Sequence, residues 1–448
     1  MTTDTFVIDN ITIMPGLAAI ITESDSQDLI EDPTNTISIG ENDKIAPWGR
    51  DNDLPDKVFA KIMKSDVAAS NLMFNIQACY GQGIKPMMRR IENNTVAYQE
   101  CNDEKVMQFF DDNDINGYFH EQCTDFITFF NAFPEIVLTA DGRSVYSLRH
   151  KEAMFSRLGV VNNKGEIVKH YYSSKWNSES GSANKENTVI SEVLSHYNPY
   201  ADLTARITKG NRTRRFIMPV RFPVPGHIYY PKPYFWSMFR SGSYDFSSLI
   251  WKYKKTLLKN GLAVRYIIYI DEKYWQIIFD EEKIDRNDPK KVKDRKEEEF
   301  AKFRNFLTDE HNQGKGLMAL KKTIQTGTGA IVEKYIEIEE VKITSKGGEF
   351  IEDSSEVNNV MSYAMGVHPN MIGANPGKTG QSMSGTDKRE LYMIKTAMMK
   401  PFRDRLLQPL YLVKRYNKWP NELEFVVTDY QFPTLDQNKT GKQEVAQS

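Results

Sequence analysis

Hydrophobic positions in the first 131 residues recur mostly every three or four residues, which predicts helices. One helix is expected to begin at the turn before Pro55, with Phe59 and Ile62 on its apolar side. A second helix follows from about residue 66 and ends at Gly81 or Gly83, because glycine permits a left-handed helix end. Residues 103–131 repeat the same spacing and predict a pair of helices.

Between residues 134 and 174 the hydrophobic period changes to two, and turn residues interrupt it. The Asp141-Gly142 pair predicts one hairpin, and the turn over residues 163–165 predicts a second. Helices followed by hairpins predict an α+β fold. Farther along, the segment 222–236 contains too many prolines for a helix or a central strand. These prolines are Pro223, Pro225, Pro231 and Pro233.

A highly charged insert occupies the middle of the chain. A helix is predicted over residues 245–260, and the charges of residues 280–310 predict a solvent-facing helix with ion pairs four residues apart. Apolar runs at 262–270 and 275–279 precede this helix, and runs at 316–320 and 334–343 follow it, so the insert is predicted to be β-helix-β. Its helix carries a narrow apolar stripe: Val292, Phe300, Phe303, Phe306 and Leu307.

The last third of the chain predicts two helices separated by a loop rich in glycine and proline, residues 368–384. The second helix is expected to begin at Ser384, to kink near Pro401 and to end at Asn417. A final strand is predicted from residue 423. The predicted face of the first helix is Val357, Val360, Met361, Ala364 and Met365. The predicted face of the second is Leu391, Ile394, Met398, Phe402, Leu406 and Leu410.

Composition narrows the classes of function. The 448 residues contain 58 Lys and Arg against 60 Asp and Glu, a formal net charge of −2, whereas a protein that grips nucleic acid by counterion release is normally basic. Three cysteines without a CxxC pair predict reduced thiols in a cytosolic protein: Cys79, Cys101 and Cys123. Neither metal-ligand spacing nor an 18-residue apolar run occurs. We therefore expect no metal, no cofactor and no membrane association.

The stretch GANPGKTG, residues 373–380, ends in the Gly-Lys-Thr of phosphate-binding loops. A phosphate loop needs four residues between its first glycine and the Gly-Lys pair, and only three separate Gly373 from Gly377. It must also follow a buried strand, whereas the segment before Gly373 has helical spacing. The run RYIIYIDE, residues 265–272, resembles a magnesium-holding strand, but ordinary NTPases place that strand after the loop. A nucleotide hydrolase is disfavoured and stays open as an alternative.

The segment 356–410 resembles the portal proteins of tailed bacteriophages. It combines a helix, a tight turn, a small-residue loop and a helix with an internal proline. The likeness spans roughly residues 50–435 and includes the point where a helix leads into a hairpin. At that point this sequence has Asn-Ala-Phe, residues 131–133, where the family often has Gly-Asn-Ala. The residues that carry it are Gly366, Val367, His368, Pro369, Ile372 and Gly373, together with Asn131, Ala132 and Phe133.

The resemblance implies the architecture of a portal subunit, one copy in a ring. Residues 1–240 would form an α+β wing with an N-terminal arm. Residues 241–262 and residues 350–367 would each form a stem helix, and residues 263–349 would form a clip. Residues 368–384 would form the tunnel loop. Residues 385–435 would form a kinked wing helix and final strand, and 436–448 a polar tail.

The resemblance also implies a function without enzymatic activity. A ring of about twelve subunits would sit at one capsid vertex, where double-stranded DNA is packaged and ejected. Its partners would be terminase, the major capsid protein and a head-completion or adaptor protein. The protein would be found in the virion and, during assembly, in the host cytoplasm.

A loop beside moving DNA needs small, flexible residues, and single cations that touch phosphates weakly. The candidate DNA-channel contacts are Lys378, Thr379, Gln381, Ser382, Lys388 and Arg389. The apolar stripe of the charged insert would be covered by neighbouring copies, and the candidate inter-subunit clip contacts are Phe300, Phe303 and Phe306. Two alternatives stay open: a phosphate-loop NTPase, and another structural virion or scaffold protein without a DNA channel.

Overall fold

The structure of the protein is a computed structural model. It describes residues 6–8, 11–14, 19–22, 36–39, 43–92, 95–176, 183–260, 266–270, 272–286, 288–308, 321–326, 329–334, 336–340, 349–372 and 385–430. The α-helices are α1 (Leu54–Met63), α2 (Asp66–Tyr80), α3 (Glu104–Asp112), α4 (Ile115–Phe129), α5 (Pro199–Thr208), α6 (Ser237–Arg240), α7 (Ser243–Asn260), α8 (Glu272–Glu281), α9 (Pro289–Thr308), α10 (Glu349–Ala364), α11 (Pro369–Ile372), α12 (Gly385–Leu406) and α13 (Gln408–Tyr416).

The strands alternate with the helices along the chain. They are β1 (Phe6–Ile8), β2 (Ile11–Met14), β3 (Ala19–Thr22), β4 (Ile37–Ser38), β5 (Lys44–Ile45), β6 (Ile84–Glu92), β7 (Thr95–Glu100), β8 (Asn131–Ala132), β9 (Glu135–Leu138), β10 (Val145–Arg149), β11 (Ser156–Leu158), β12 (Lys169–Tyr172), β13 (Val189–Val193), β14 (Arg215–Ile217), β15 (Val220–Arg221), β16 (Tyr266–Ile270), β17 (Lys321–Thr326), β18 (Gly329–Lys334), β19 (Ile336–Glu340) and β20 (Leu423–Val427). The fold is α+β, as predicted.

The chain divides into two compact units. Unit 1 comprises residues 1–248 and 351–448, and unit 2 comprises residues 249–350. The predicted clip, residues 263–349, lies within unit 2. The bounds predicted for wing, stem and clip stay predictions.

A six-stranded sheet forms one part of unit 1, in the order β10-β9-β14-β13-β12-β11. Strands β13 and β14 are parallel and the other neighbours are antiparallel. The C-terminal strand β20 pairs with β6 from Leu423 opposite Met88 to Val427 opposite Ile84. The last described strand is therefore built into the first half of the chain.

Helices α2, α4 and α12 pack together in unit 1. Aromatic rings fill the space around them: Phe222 stacks on Phe402 with ring centroids 4.5 Å apart, and Phe126 meets both rings edge-on. Burial of such large rings contributes about 2–3 kcal/mol each relative to exposure. The three helices thus share one hydrophobic core although they are far apart in sequence.

Unit 2 contains two strand pairs and two charged helices. Strand β16 pairs antiparallel with β19, and β17 pairs with β18. Trp275 and Phe279 are buried on α8. On α9, Arg295 donates to Glu282 and to Glu299, with N–O distances of 2.6 to 2.8 Å. The ion pairs expected four residues apart are present in this helix, since Glu299 follows Arg295 by four.

Most elements predicted from the hydrophobic pattern are confirmed. They include α1 to α4, the hairpins β9–β10 and β11–β12, and strand β20. Helix α2 is followed by Gly81 at φ +59°, the left-handed region that favours glycine. The proline-rich residues 223–233 contain neither helix nor strand.

Several predictions of elements were wrong. Residues 275–279 form part of α8 and not a strand, because a short apolar run does not distinguish the two and here Trp275 and Phe279 share a helical face. The hairpin β17–β18 was not predicted. Strand β19 lies within the run 334–343 that was predicted to be a strand, and the predicted run 316–320 lies outside the described residues. The helix expected to run to Asn417 is divided at Leu407, because Pro409 lies in the first turn of α13 and cannot continue the hydrogen-bond ladder of α12.

Predicted burial was wrong at four apolar positions. Phe59 is exposed, and Val58 takes its place against the core of unit 1. On α10, Val360 is exposed. On α12, Ile394 and Met398 are each 57 % exposed. The buried side of α12 consists of Lys395, Met399 and Arg403, which were not predicted, and of Leu406, which was.

A buried arginine joins α12 to the end of α2. Arg403 Nε donates to the Cys79 carbonyl at 2.9 Å, and Nη2 donates to the Ala78 carbonyl at 2.8 Å. The guanidinium also forms two hydrogen bonds with the Asp429 carboxylate. Carbonyls in the last turn of a helix have no partner within that helix, so Arg403 supplies bonds that α2 lacks.

We expect Arg403→Met to lower the free energy of unfolding of the protein by about 3 kcal/mol, because it leaves buried carbonyls and one carboxylate without their donor. Lys400→Met on the same helix removes an exposed ion pair with Asp404 and should cost less than about 0.5 kcal/mol. Urea unfolding followed by tryptophan fluorescence measures both variants. Equal stability of the two variants would contradict the role assigned to Arg403.

Candidate functional site

The predicted tunnel loop, residues 368–384, is described only over residues 368–372. Residues 373–384 lie outside the described residues, and with them Lys378, Thr379, Gln381 and Ser382. Helix α11 immediately precedes this segment, and α12 immediately follows it. The site can therefore be described through the residues that hold those two ends.

The end of α10 is held by polar side chains of α2. Asn75 Nδ2 donates to the Met365 carbonyl at 2.9 Å, and Asn71 Nδ2 donates to Ser362 Oγ at 3.1 Å. All these side chains are buried. Gly366 follows with φ +63°, so the chain turns there in the left-handed region.

A buried lysine in the middle of α12 contacts the same turn. Lys395 is 5 % exposed, and its Nζ donates to the Gly366 carbonyl at 2.9 Å. Burial lowers the pKa of Lys395 from its usual 10.5 to about 8. A lysine beside the carbonyls at a helix end is electrostatically favourable and offsets part of the desolvation. The turn after α10 is thus bonded both to α2 and to the middle of α12, the two helices between which the segment 373–384 lies being α11 and α12.

The two cations predicted on α12 lie in its first two turns. Lys388 is exposed and Arg389 is half-buried. Neither forms an ion pair with another described residue. Both side chains can therefore contact an anion outside the subunit.

The predicted clip contacts lie on α9. Phe300 is 51 % exposed, and its ring meets Trp275 edge-on with centroids 5.7 Å apart. Phe303 and Phe306 belong to the same helix, and their side chains lie outside the description. Phe300 thus packs partly within unit 2 and leaves half of its surface exposed. The inter-subunit role of all three stays a prediction.

Helix α12 also carries an apolar stripe that the sequence assigned to the core. Leu391, Ile394 and Met398 are spaced three and four residues apart, so they share one flank of the helix. Lys395, Met399 and Arg403 occupy the buried face beside it. The hydrophobic spacing was visible in the sequence, but the buried lysine and arginine carried no signal there because charged residues are normally exposed.

Within the residues that the structure describes, no three His, Cys, Asp or Glu side chains are grouped as metal ligands would be. Over the same residues, no helix combines the length and the apolar character of a membrane span.

Comparison with known proteins gives matches in structure alone. No protein-family model and no curated protein matches the chain. A chain in the neck of the native GTA particle, computed with C12 symmetry, has a TM-score of 0.55 at 14 % identity, and the match covers 89 % of each chain. A chain in the neck of the empty GTA particle, computed with C6 symmetry, has a TM-score of 0.52 at 14 % identity over 88 % of this chain and 86 % of that one.

A third match is a chain in the virion of the native gene transfer agent particle. Its TM-score is 0.51 at 13 % identity, over 91 % of this chain and 87 % of that one. Identities this low establish a shared fold. The protein therefore has the fold of chains found in the necks and virions of these phage-like particles.

The buried lysine gives a pH prediction. Because Lys395 has a lower pKa in the folded protein than in the unfolded chain, the unfolded state binds more protons between pH 8 and 10.5. The free energy of unfolding of the wild type, relative to Lys395→Met, should therefore rise by about 2–3 kcal/mol across that window. Urea unfolding of the wild type and of Lys395→Met at pH 8 and pH 10 measures this difference. Because all other titrating groups are common to the two proteins, their contributions cancel when the two free energies are subtracted. A difference that is flat with pH would mean that Lys395 is solvated.

Proposed function

We propose that the chain is a portal subunit of a phage-like particle. Copies would form a ring at one capsid vertex, and double-stranded DNA would pass through the ring during packaging and ejection. One observation carries the proposal: nearly the whole chain shares its fold with neck chains of particles computed with C12 and C6 symmetry. A fold shared over a whole chain, and not over one module, favours a shared place in an assembly.

The proposal extends to location and partners. The ring would belong to the virion and would dock terminase during packaging, the major capsid protein around its rim and a head-completion protein afterwards. These partners come from the resemblance of residues 356–410 to portal proteins. The match to a chain in a gene transfer agent virion supports the location.

Exposed apolar side chains support assembly with further copies. The flank of α12 formed by Leu391, Ile394 and Met398 presents apolar surface beside the packed face of the helix. Two of these side chains are more than half exposed. An apolar stripe on an otherwise packed helix is favoured when another protein surface covers it. In a cyclic ring, a second copy would cover it through a head-to-tail contact.

The anchored ends of the segment 373–384 support its placement beside a channel. Lys395 and Asn75 bind the turn at Met365 and Gly366, so the chain on the two sides of the segment is held by buried hydrogen bonds a few residues away from it. A loop of small residues can change its backbone conformation as DNA moves past it, while the packed core on both sides of the loop stays unchanged. Lys378, Lys388 and Arg389 would touch phosphates singly.

We propose that the protein is not a nucleotide hydrolase. Helices α10 and α11 precede Gly373, where a phosphate loop requires a buried strand. The loop is also one residue short of the phosphate-binding spacing. The Gly-Lys-Thr sequence is better explained as part of a small-residue loop.

The ring is tested with a double substitution on α12. Ile394→Asp with Met398→Asp should convert rings into monomers, because two carboxylates would be placed against the apolar surface of a neighbouring copy. Each wild-type side chain is exposed in the subunit, so the subunit itself should remain folded. Negative-stain imaging and sedimentation velocity measure the assembly.

Met393→Asp is the matched control for this experiment. Met393 is 63 % exposed on the same helix but lies on the opposite flank of its buried face. Rings should persist in this variant. Rings in the double variant would show that the stripe is not an interface, and absence of a central hole in wild-type particles would contradict the portal proposal itself.

Shortening the segment 373–382 by six residues tests its role. Rings should still form, because the removed residues are small or polar and contribute little apolar burial. DNase-protected DNA in assembled particles should fall by about tenfold or more, since a functional loop is removed from a rigid scaffold. Imaging and a packaging assay are performed on the same preparations.

Charge substitutions complete this test. Lys388→Gln with Arg389→Gln should reduce packaging by about two- to threefold, because single exposed phosphate contacts are weak and screened by salt. Lys209→Gln with Arg212→Gln removes the same charge after α5 and should leave packaging unchanged. Normal packaging with the shortened segment would mean that it does not face DNA, and loss of rings would make it a structural joint.

A further inference from the structure

A cleft of about 590 Å³ opens in unit 1 beside the proline-rich residues 222–233. Apolar side chains such as Ile167, Met218 and Phe222 line it, together with Pro219, Pro223, Pro225 and Pro231. Cavities of this size commonly hold ligands or peptide side chains. Neither the packing of the core nor the proposed channel accounts for this cleft.

The walls of the cleft are held rigidly. Tyr229 Oη accepts a hydrogen bond from the Val161 backbone N–H at 3.2 Å. Tyr230 Oη accepts from the Leu158 N–H at 2.7 Å and donates to the Ala46 carbonyl at 2.9 Å. Tyr230 also stacks on Trp48 with ring centroids 4.4 Å apart. The proline segment is therefore attached to the sheet, and the cleft beside it is preformed.

The lining is cationic. It contains two arginines, Arg221 and Arg405, against one acidic residue, Glu166, and the imidazoles of His196 and His227 lie beside them. The pKa of His196 is lowered by burial and by the charges of Arg221 and Arg405, which places these three groups near one another. Within the described part of the chain, neither arginine forms an ion pair with a carboxylate. Like charges gathered in this way favour an anion between them.

Arg221 is half-buried and differs from the buried arginines of unit 1. Its Nη1 donates to the Ile228 carbonyl, and its buried Nε has no hydrogen-bond partner among the described residues. Arg157, by contrast, donates through Nε, Nη1 and Nη2 to Asn52 and to two backbone carbonyls. Nε itself is enclosed by the protein, but Arg221 has no carboxylate to balance its charge among the described residues, so a carboxylate on a ligand would form the ion pair that the fold does not.

The rim of the cleft indicates a polypeptide and not a small molecule. Tyr197 is 86 % exposed, and Ile228 is also exposed, although both line the cleft. A small molecule would fill the interior and leave these side chains in water. A polypeptide would cover them, and tyrosine at the edge of a pocket is frequent in protein interfaces.

We propose that this cleft binds an extended segment of another protein in which carboxylate side chains flank aliphatic ones. The aliphatic side chains fill the space between the prolines and Phe222. The carboxylates pair with Arg221 and Arg405. Duplex DNA fits poorly, because it offers phosphates on a broad surface and no aliphatic group for the apolar walls. The site is complete within one subunit and does not depend on ring formation.

A synthetic hexapeptide tests the proposal with the full chain. The labelled probe is acetyl-Glu-Asp-Leu-Ile-Glu-Asp-amide, and its binding is measured by fluorescence anisotropy at low salt. Arg405→Gln should weaken binding about tenfold, because a charge-assisted bond is lost from a half-buried site. Arg143→Gln removes an exposed arginine that does not line the cleft and should leave the affinity unchanged.

Two further probes separate the charge of the ligand from its apolar part. The amide analogue with Gln and Asn, and the acidic analogue with serine in place of Leu and Ile, should each bind about tenfold more weakly or worse. Equal binding of either analogue, equal binding by Arg405→Gln, or the absence of binding by the acidic probe would overturn the proposal. Arg221→Gln should likewise weaken binding about tenfold, and if that variant fails to fold, Arg405→Gln still decides the outcome.

Two other occupants are distinguished in the same assay. The full chain with Asp28→Asn, Glu31→Gln and Asp32→Asn should bind the probe with wild-type affinity. Tighter binding would mean that the acidic residues near position 30 of this chain compete for the cleft, and would overturn the assignment to another protein. Displacement of the probe by a 20-base-pair DNA duplex (a length chosen at about two helical turns) would overturn it in favour of nucleic acid.

Discussion

Two buried cations on α12 hold together the region on which the rest of unit 1 depends. Arg403 binds the last carbonyls of α2 and the Asp429 carboxylate after β20, and Lys395 binds the Gly366 carbonyl after α10. Each cation supplies hydrogen bonds to carbonyls that a helix end leaves unpaired. Because these elements come from opposite halves of the chain, the bonds close unit 1 around its aromatic core.

The same arrangement decides which side of α12 remains available. Turning Lys395 and Arg403 inward places Ile394 and Met398 outward, where they form an exposed apolar flank. The free-energy cost of desolvating Lys395 and Arg403 is offset by their hydrogen bonds to carbonyls and to a carboxylate. The unfavourable exposure of the apolar flank is removed if another copy covers it. The internal network and the proposed ring contact are therefore two consequences of one helix orientation.

Buried arginines also connect the core to the cleft. Arg157 and Arg403 have acceptors for their guanidinium groups inside the fold. For the half-buried Arg221, Nη1 has an acceptor and Nε has none among the described residues. Since a desolvated cation is stable when its donors are satisfied, this contrast supports the proposed pairing of Arg221 with a carboxylate of another protein.

The sequence by itself determined the α+β class, α1 to α4, two hairpins, the proline-rich segment and the final strand, because spacing and turn residues act locally. It could not determine that residues 275–279 are helical, since a five-residue apolar run fits either element. Nor could it show that the buried face of α12 contains a lysine and an arginine. That choice depends on carbonyls of α2 and α10, which lie near α12 only after the chain has folded. The cationic cleft likewise brings together residues 166, 196, 221 and 405 from separate elements, so only the tertiary structure decided it.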